Sequence, residues 1–401
     1  MKKHIYAQSS ALAFLLAGTG VAHAQSSVTL YGIIDEGLNY ISNSGGGKVI
    51  SATSGVIQGS RWGMRGTEDL GGGLKAVFVL ENGFDASNGK LGQGGLEFGR
   101  QAWVGLSSAR LGTVTLGRQY DPRVDFVGPL VSATRWSGAF GTHPADIDNL
   151  NNSFRINNSV KYRSPSFGGF AFSALYSMGG VAGSVGRNQI YSVGGGYTYG
   201  PFVLGAAYLN AHNPNVSYFG ATGTVAATTN GVPGSNLGTA PSLSGFASAS
   251  TYQSITAGGG FQLGAAHIGV TYSNTAFKGL GDTTSGPNPN GFTGSTHYNN
   301  AEINGEYRVG QALLLGVAYD YMKGSSISSA RGKVGGATYH QISLGADYSL
   351  SKRTDVYLMG MYQHASGTDS TGGEAHAAIY TITPSDSDHQ SLVRVGIRHR
   401  F

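Results

Sequence analysis

The stretch NNAEINGEYRV, residues 299–309, decides the class of fold. Side chains of a β-strand alternate between two faces, so one face here carries Ala, Ile, Gly, Tyr and Val. The other face carries a continuous polar row: Asn300, Glu302, Asn304, Glu306 and Arg308. A protein core does not bury such a row, because the charges would lose their water, but a water-filled lumen solvates it. The stretch therefore predicts a strand with lipid on one face and water on the other.

The last ten residues, LVRVGIRHRF (392–401), repeat this two-faced pattern and end on an aromatic residue. One side holds the apolar Val393, Val395, Ile397 and Phe401, and the other holds Arg394, Gly396, Arg398 and Arg400. Taken alone, this strand also fits a soluble β-sandwich with solvent on its polar side. The alternative is a transmembrane barrel strand, with its arginines toward the lumen and its terminal aromatic in the interface girdle.

The N-terminus predicts export. Lys2 and Lys3 precede a short apolar run, ALAFLLAG, and the small-residue cleavage sequence AHA that ends at Ala24. These features indicate a secretory signal peptide over residues 1–24, followed by a mature domain at 25–401. The apolar run is well short of the ~20 residues that a membrane-spanning helix needs, and no later segment approaches that length.

The composition favours a large β-structure in a membrane. The 401 residues include 66 Gly and 22 Tyr, no Cys, and only 12% charged residues. Tyr suits the girdles at membrane interfaces, and a large closed sheet needs no disulfide framework. The formal net charge of +5 is weak and spread along the chain, so no nucleic-acid partner is predicted.

Blocks of about ten alternating residues recur along the chain and are bounded by turn residues. The predicted strands are 28–40, 60–69, 74–84, 99–107, 112–119, 158–164, 170–178, 189–199, 202–212, 252–262, 265–277, 298–309, 313–323, 339–349, 354–364 and 391–401. Short turns alternate with long polar connections, as in outer-membrane barrels that have short periplasmic turns and long external loops. The pattern predicts an all-β fold, a transmembrane antiparallel β-barrel of 16 strands.

The sequence gives little support for an enzyme. A hydrolase on a barrel wall needs a Ser beside a His, and the mid-strand His267 is explained by a solvated lumen position. The other histidines lack the spacing of metal ligands, and the acidic pair Asp146 and Asp148 is a weak candidate for a cation site. We therefore predict no catalytic residue, no metal and no cofactor.

Four segments carry a family resemblance. They are SRWGMRGTEDLGGGLKAVFVLENGF (60–84), FGRQAWVGLSSARLGTVTLGRQYDP (98–122), NNSVKYRSPSFGGFAFSALYSMG (157–179) and the ending VGIRHRF. In order, and over essentially the whole mature chain, they resemble the trimeric general porins of Gram-negative outer membranes, especially the basic, anion-preferring branch. The loops at 213–251 and 365–390 match least.

The resemblance implies a homotrimer whose third external loop, residues 120–157, folds inward to constrict the pore. In the family, arginines on the barrel wall face acidic residues on this loop, and the matching wall positions are Arg61, Arg100, Arg155 and the nearby Arg118. The Pro-Glu-Phe stretch of many relatives is not evident here. The acidic partners therefore stay open among Asp121, Asp125, Asp146 and Asp148, while Arg123 and Arg135 add positive charge to the loop.

The resemblance also implies that Phe401 is read by the barrel assembly machinery. The other expected partners are outer-membrane lipid and lipopolysaccharide, and small hydrophilic solutes and ions. We predict a channel for passive diffusion of such solutes, with anion preference because rings of arginine select anions. Two alternatives stay open, a substrate-specific anion or carboxylate channel and a barrel scaffold that displays adhesive loops.

Overall fold

The computed structural model describes residues 26–222, 225–330 and 332–401. The signal peptide predicted over residues 1–24 lies outside the described residues. None of the helices in the described ranges is long and apolar enough to cross a membrane.

Sixteen strands of the described chain form one closed antiparallel barrel, which confirms the predicted fold class. They are β1 Ser27–Ser44, β2 Arg61–Gly71, β3 Leu74–Gly83, β4 Gln101–Ser108, β5 Gly112–Gln119, β6 Ile156–Arg163, β7 Phe170–Ser177, β8 Ile190–Tyr199, β9 Phe202–His212, β10 Thr251–Leu263, β11 Ala266–Leu280, β12 Gly294–Val309, β13 Leu313–Gly324, β14 Thr338–Ser349, β15 Thr354–Ser366 and β16 His389–Arg400. The ring closes where residues 33–41 of β1 pair with residues 392–400 of β16. Closure satisfies the backbone polar groups that an open sheet edge would expose to lipid.

The first external connection contains one more strand of this sheet, Gly47–Ser54, in a region that the sequence analysis placed in a loop. It pairs with the outer half of β1, above the point where β2 begins. Gly45 and Gly46 form the tight turn between them with φ of 62° and 93°, values that glycine adopts without steric cost. The apolar Val49 and Ile50 are adjacent, so this strand lacks the alternation by which the others were predicted.

The external loops carry the remaining short elements. The helices are α1 Pro122–Phe126 and α2 Pro214–Ser217, with 3-10 turns at Gln93–Gly95, Gly128–Leu130, Ala139–Gly141, Pro144–Asp146, Phe219–Thr222 and Ser244–Phe246, and a π turn at Ala133–Ser137. Two small hairpins pair Thr228–Thr229 with Val232–Pro233 and Ile327–Ser329 with Gly332–Val334. We call residues 120–155 loop 3, residues 213–250 loop 5 and residues 367–388 loop 8.

The two faces of the strands differ as the alternation predicts. On β12, Ile303 and Tyr307 are each 53% exposed on the outer surface, whereas Glu302 is 2% exposed on the inside. On β16, Val395 is 54% exposed outside and Arg394 is fully buried inside. Inward polar residues such as Glu302 and Arg394 are thus covered by other parts of the chain, whereas Arg308 on the inner row of β12 is exposed.

An apolar cluster fills part of the barrel interior toward its external end. It combines inward residues of β6–β15 with residues of loops 3, 5 and 8, among them Ile147, Leu209, Tyr218, Phe219, Leu243, Phe246, Phe277, Tyr339 and Ala377. Burial of these side chains holds the loops inside the barrel. The open part of the lumen therefore lies closer to the strands that do not contribute to this cluster, β1–β5 and β16.

Candidate pore constriction

Loop 3 begins with an arginine that is completely buried inside the barrel. Asp121 caps α1 by accepting the backbone N–H of Arg123, and its carboxylate also accepts from Nε of the same arginine at 3.0 Å. The guanidinium donates to the hydroxyls of Tyr218 in loop 5 at 2.7 Å and Tyr252 in β10 at 2.9 Å. Asn149, on the returning part of loop 3, donates to Asp121 at 3.1 Å. This contact set, the Arg123 junction, joins both ends of loop 3 to loop 5 and the wall.

The middle of loop 3 is fastened to the wall at β12. The backbone N–H and the hydroxyl of Ser132 each donate to Glu302 at 2.8 Å, and Asn304 donates to the carbonyl of Leu130 at 2.9 Å. Arg135 forms an ion pair with Glu306 at 2.5 Å. Part of the polar row that decided the fold therefore serves to hold the loop.

Trp136 is the apolar anchor of the same segment. Its ring lies over Gly316 of β13 and Gly345 of β14, so closely that a Cβ atom on either glycine would overlap it. Leu314 and Ala318 complete the contact. The two glycines form a slot in the wall that only a residue without a side chain can provide.

A buried histidine connects the end of loop 3 with three carboxylates. Nδ1 of His143 lies 2.8 Å from Asp148, and its Nε2 lies 3.5 Å from Glu302 and 3.6 Å from Asp320. Burial opposes a charge on the ring, but Asp148 and Asp320 raise the pKa of His143 well above its usual range. Burial likewise opposes ionisation of Asp148, and His143 nevertheless holds the pKa of that carboxyl below its usual range. The charged pair and Ser273, which donates to Asp148 at 2.6 Å, fix the loop against β11.

Two of the wall arginines, Arg61 and Arg100, share one carboxylate, that of Glu81 near the end of β3. Arg100 binds it with Nε at 2.8 Å, and Nε of Arg61 lies 3.9 Å away. The hydroxyls of Tyr31 and Tyr120 donate to the same carboxylate at 2.9 and 3.0 Å. Glu81 was not predicted, although it shares the inward alternation of Lys75, Val77 and Val79 in KAVFVLENGF.

Arg155 and Arg118 extend this positive wall and are bound by neutral groups. Arg155 lies over the ring of Tyr120, 5.7 Å from its centroid, and donates to the carbonyl of Ser153. Arg118 donates to the carbonyl of Gly99 at 2.8 Å and to that of Ala221 in loop 5 at 2.7 Å. Arg155 thus reaches the Glu81 group only through Tyr120, which donates to Glu81, and the carbonyl of Ala221 in loop 5 helps to hold Arg118.

The loop acids occupy other places. Asp121 belongs to the Arg123 junction and Asp148 to the His143 cluster. Asp146 accepts the backbone N–H groups of Asn151 and Ser153, and burial, reinforced by Asp148, raises its pKa to about 6. These three acids serve the internal structure of loop 3.

Asp125 is the loop acid that faces the wall most directly. It pairs with Lys161 at 2.5 Å and approaches Arg163 to 3.9 Å, both on β6. None of the ion pairs in the described ranges joins a loop 3 acid to Arg61, Arg100, Arg155 or Arg118. The added charges of Arg123 and Arg135 are also neutralised, by Asp121 and Glu306.

Open hollows lie on both sides of loop 3. The periplasmic one has a volume of about 490 Å³ and is lined by Thr134, Arg135, Glu306 and Arg308. On the external side, one hollow of about 280 Å³ lies between the first two external loops, Phe140 and loop 8. A closed barrel with an apolar outer face, a loop fastened across its interior and open hollows on both sides of that loop are the features of a channel-forming membrane protein.

Comparison with known proteins agrees with that class. The profile of the Gram-negative porin family matches residues 11–368. An outer membrane porin protein of Bordetella pertussis is 32% identical, and outer membrane porin protein 32 of Delftia acidovorans 31%, each over the full length of both chains. The solved anion-selective porin from Comamonas acidovorans superposes with a TM-score of 0.69 at 23% identity, covering 94% of this chain and all of that one.

The chain belongs to the Gram-negative porin family. It is an outer-membrane β-barrel, as the alternation and the loop lengths predict.

Proposed function

We propose that the barrel is a passive channel for small hydrophilic solutes that prefers anions, and that residues 120–157 constrict it. The observation that carries the proposal is the surplus of guanidinium groups on this wall: Arg61 and Arg100 share the carboxylate of Glu81, whereas Arg118 and Arg155 are bound by neutral groups. Four guanidinium groups and one carboxylate leave a net positive wall. In a narrow, low-dielectric passage such a wall raises the local concentration of anions.

Loop acids do not cancel this charge in the proposed arrangement. Asp121, Asp146 and Asp148 stabilise loop 3 internally, and Asp125 balances Lys161. The structurally similar anion-selective porin from Comamonas acidovorans supports the same preference by analogy. No bound nucleotide, metal or other cofactor is required for such diffusion.

The remaining features of the proposal concern export and assembly. Residues 1–24 act as the signal peptide, and 25–401 form the mature barrel that assembles as a homotrimer in contact with outer-membrane lipid and lipopolysaccharide. Phe401 is the recognition signal for the assembly machinery. In support, Phe401 exchanges two backbone hydrogen bonds with Gly32 at 3.0 and 3.1 Å, and its ring lies on the outer surface, 45% exposed.

The test is the zero-current potential of the purified protein in planar bilayers under a KCl gradient. The wild type is expected to give an anion-signed potential, and Arg61→Gln with Arg155→Gln is expected to reduce it. Arg187→Gln is the matched control, because Arg187 lies on an external loop and bonds the carbonyl of Thr284. A cation-signed potential would refute the anion preference, and absence of conductance would favour the display scaffold.

A substrate-specific channel is the second candidate, and Arg155 favours it. Among the described residues Arg155 forms no ion pair with an acid, and its buried Nε has no hydrogen-bond partner, so its guanidinium can bind the carboxylate of a solute. Saturation of the anion current by one carboxylate at low concentration would distinguish this candidate from a general channel.

A further inference from the structure

Three histidines lie side by side on the outer surface of the barrel, at the external ends of β14, β15 and β16. His340 is directly opposite His364, and His364 is directly opposite His389. The rings of His340 and His364 have centroids 6.3 Å apart. The residues next to them in sequence, Gln341, Gln363 and Gln390, are buried in the interior. The histidines, here called the imidazole row, therefore face away from the pore.

The row lies where the lipid-facing apolar band ends. The next outward residues toward the membrane centre are Ile342 on β14 and Tyr362 on β15, which are 46% and 44% exposed. On β16, Val393 is 50% exposed on the same face. In an outer-membrane barrel the apolar band is about 25 Å tall and is bordered by the lipid headgroups. The imidazole row is thus at the level of the headgroups of the outer leaflet.

The neighbours of the row accommodate both a neutral and a charged imidazole. The hydroxyl of Tyr319 lies 2.7 Å from Nδ1 of His340, and a hydroxyl can donate to a neutral ring or accept from a protonated one. The ring of Tyr321 lies 5.1 Å from that of His340. Lys323 is one outward position beyond Tyr321 on β13 and adds a permanent positive charge.

One carboxylate faces the row. Asp388 lies 2.8 Å from Nδ1 of His389 and 3.3 Å from Nε2 of His364. The hydrogen bond from His389 holds the pKa of Asp388 below its usual range, so this carboxyl stays ionised. The nearby Asp386 is engaged by the side chain of Asn43. Asp388 can balance one imidazolium, and further protons on the row need an external anion.

We propose that the imidazole row, with Lys323 beside it, binds phosphate groups of outer-leaflet lipid, and that the binding strengthens as the pH falls. Histidine side chains in general change charge between pH 5 and 8. Adjacent imidazolium groups repel one another, so a lipid phosphate between them promotes their protonation and each proton in turn promotes phosphate binding. The inference rests on the outer-membrane position of the barrel and does not depend on the ion preference of the pore.

The test measures binding of a fluorescent, bis-phosphorylated lipid A to the purified barrel in zwitterionic detergent, by anisotropy at pH 5.5 and pH 8 and constant salt. A cationic group near an anionic lipid surface strengthens binding about fivefold, so the two imidazolium groups that Asp388 does not balance predict an increase on the order of 25-fold on acidification. The variant with His340→Gln, His364→Gln and His389→Gln should lose this increase. The single variant His364→Gln should lose most of it, and it serves if the triple variant does not fold.

The matched control is His399→Gln. His399 is also on the outer face of β16, but at the periplasmic end, where its Nδ1 lies 2.9 Å from the hydroxyl of Thr354. This variant should keep the pH effect. Conductance of all variants should equal that of the wild type, because the row faces away from the lumen. The conductance measurement therefore separates failure of the lipid-binding inference from failure of the channel proposal.

Three results would overturn the inference. The first is equal lipid A affinity at both pH values, and the second is an acid-strengthened affinity that survives in the triple variant or extends equally to dephosphorylated lipid A. The third is a triple variant with unchanged lipid binding whose association with other copies of the chain becomes pH-independent. That last result would assign the row to a contact between subunits.

Discussion

Replacement of Arg123 by methionine should release loop 3 and loop 5 from the barrel interior without opening the barrel. Methionine has a similar length but cannot pair with Asp121 or donate to the hydroxyls of Tyr218 and Tyr252, which Arg123 binds at 2.7 and 2.9 Å. All of these groups lose contact with water in the native protein. The substitution therefore leaves a buried carboxylate uncompensated.

The expected cost follows from that carboxylate. Removing one partner of a buried ion pair costs about 3–5 kcal/mol, because the other charge stays buried and unpaired. This free energy destabilises the docked position of α1, whose capping residue is Asp121, and should raise the open population of the loop on the order of 100- to 5,000-fold. The double variant Arg123→Met with Asp121→Asn should recover part of the loss.

Hydrogen exchange of the folded protein measures the open population of loop 3 directly. Protection of the amide hydrogens of residues 124–127 should fall by the same factor in Arg123→Met, while protection of the β12–β14 strands stays unchanged. Arg187→Met is the control, since that arginine is on an exposed loop. Wild-type protection of α1 in Arg123→Met would refute the structural role of the junction, and equal loss throughout the barrel would show that Arg123 stabilises the whole fold.

Three further predictions concern the pore. Glu81→Gln should make the zero-current potential more anion-signed, because it removes the carboxylate that Arg61 and Arg100 share; an unchanged potential would place the selective region elsewhere. Gly316→Val should displace Trp136 and increase current noise in single channels. Gly305→Ala is the control: its added Cβ would have its nearest neighbours 3.8 Å away, so the current should stay as in the wild type. The raised pKa of His143 means that its contribution to loop docking is complete below about pH 6.5 and is lost as the pH rises through the raised value. Exchange of loop 3 amides, corrected for intrinsic rates, should therefore increase at alkaline pH, and His143→Asn should abolish that dependence.

The barrel could be predicted from the sequence because side chains along each strand alternate between apolar residues that face lipid and polar residues that face the interior. Alternation predicted the two faces of β12 and β16, and Glu302 and Arg394 do lie on the inner face. Strand lengths were predicted less accurately. β12 begins at Gly294, four residues before the predicted start, because its pairing with β11 continues past the last apolar residue of the alternating pattern. The strand Gly47–Ser54 was missed for the related reason that its pairing with β1 does not depend on alternation.

The partners of the candidate site were less predictable, because they depend on distant chain segments. Arg123 meets Tyr218 and Tyr252, about a hundred residues further along, and no local pattern connects them. The inward position of Glu81 could have been predicted, since it follows from the alternation of β3. The loop acids were expected opposite the wall arginines by family likeness, whereas Asp121 and Asp148 find nearer cations in Arg123 and His143.

The apolar cluster inside the barrel also sets an order of events for assembly. Phe219, Phe246 and Ala377 come from external loops, but their partners Leu209 and Phe277 are on strands that enclose them only when the ring is complete. We therefore expect the loops to bury these side chains after they have crossed the membrane and the ring has closed. Insertion and loop docking should be two separate kinetic phases, of which the second converts a wide, conducting cylinder into the narrow mature pore.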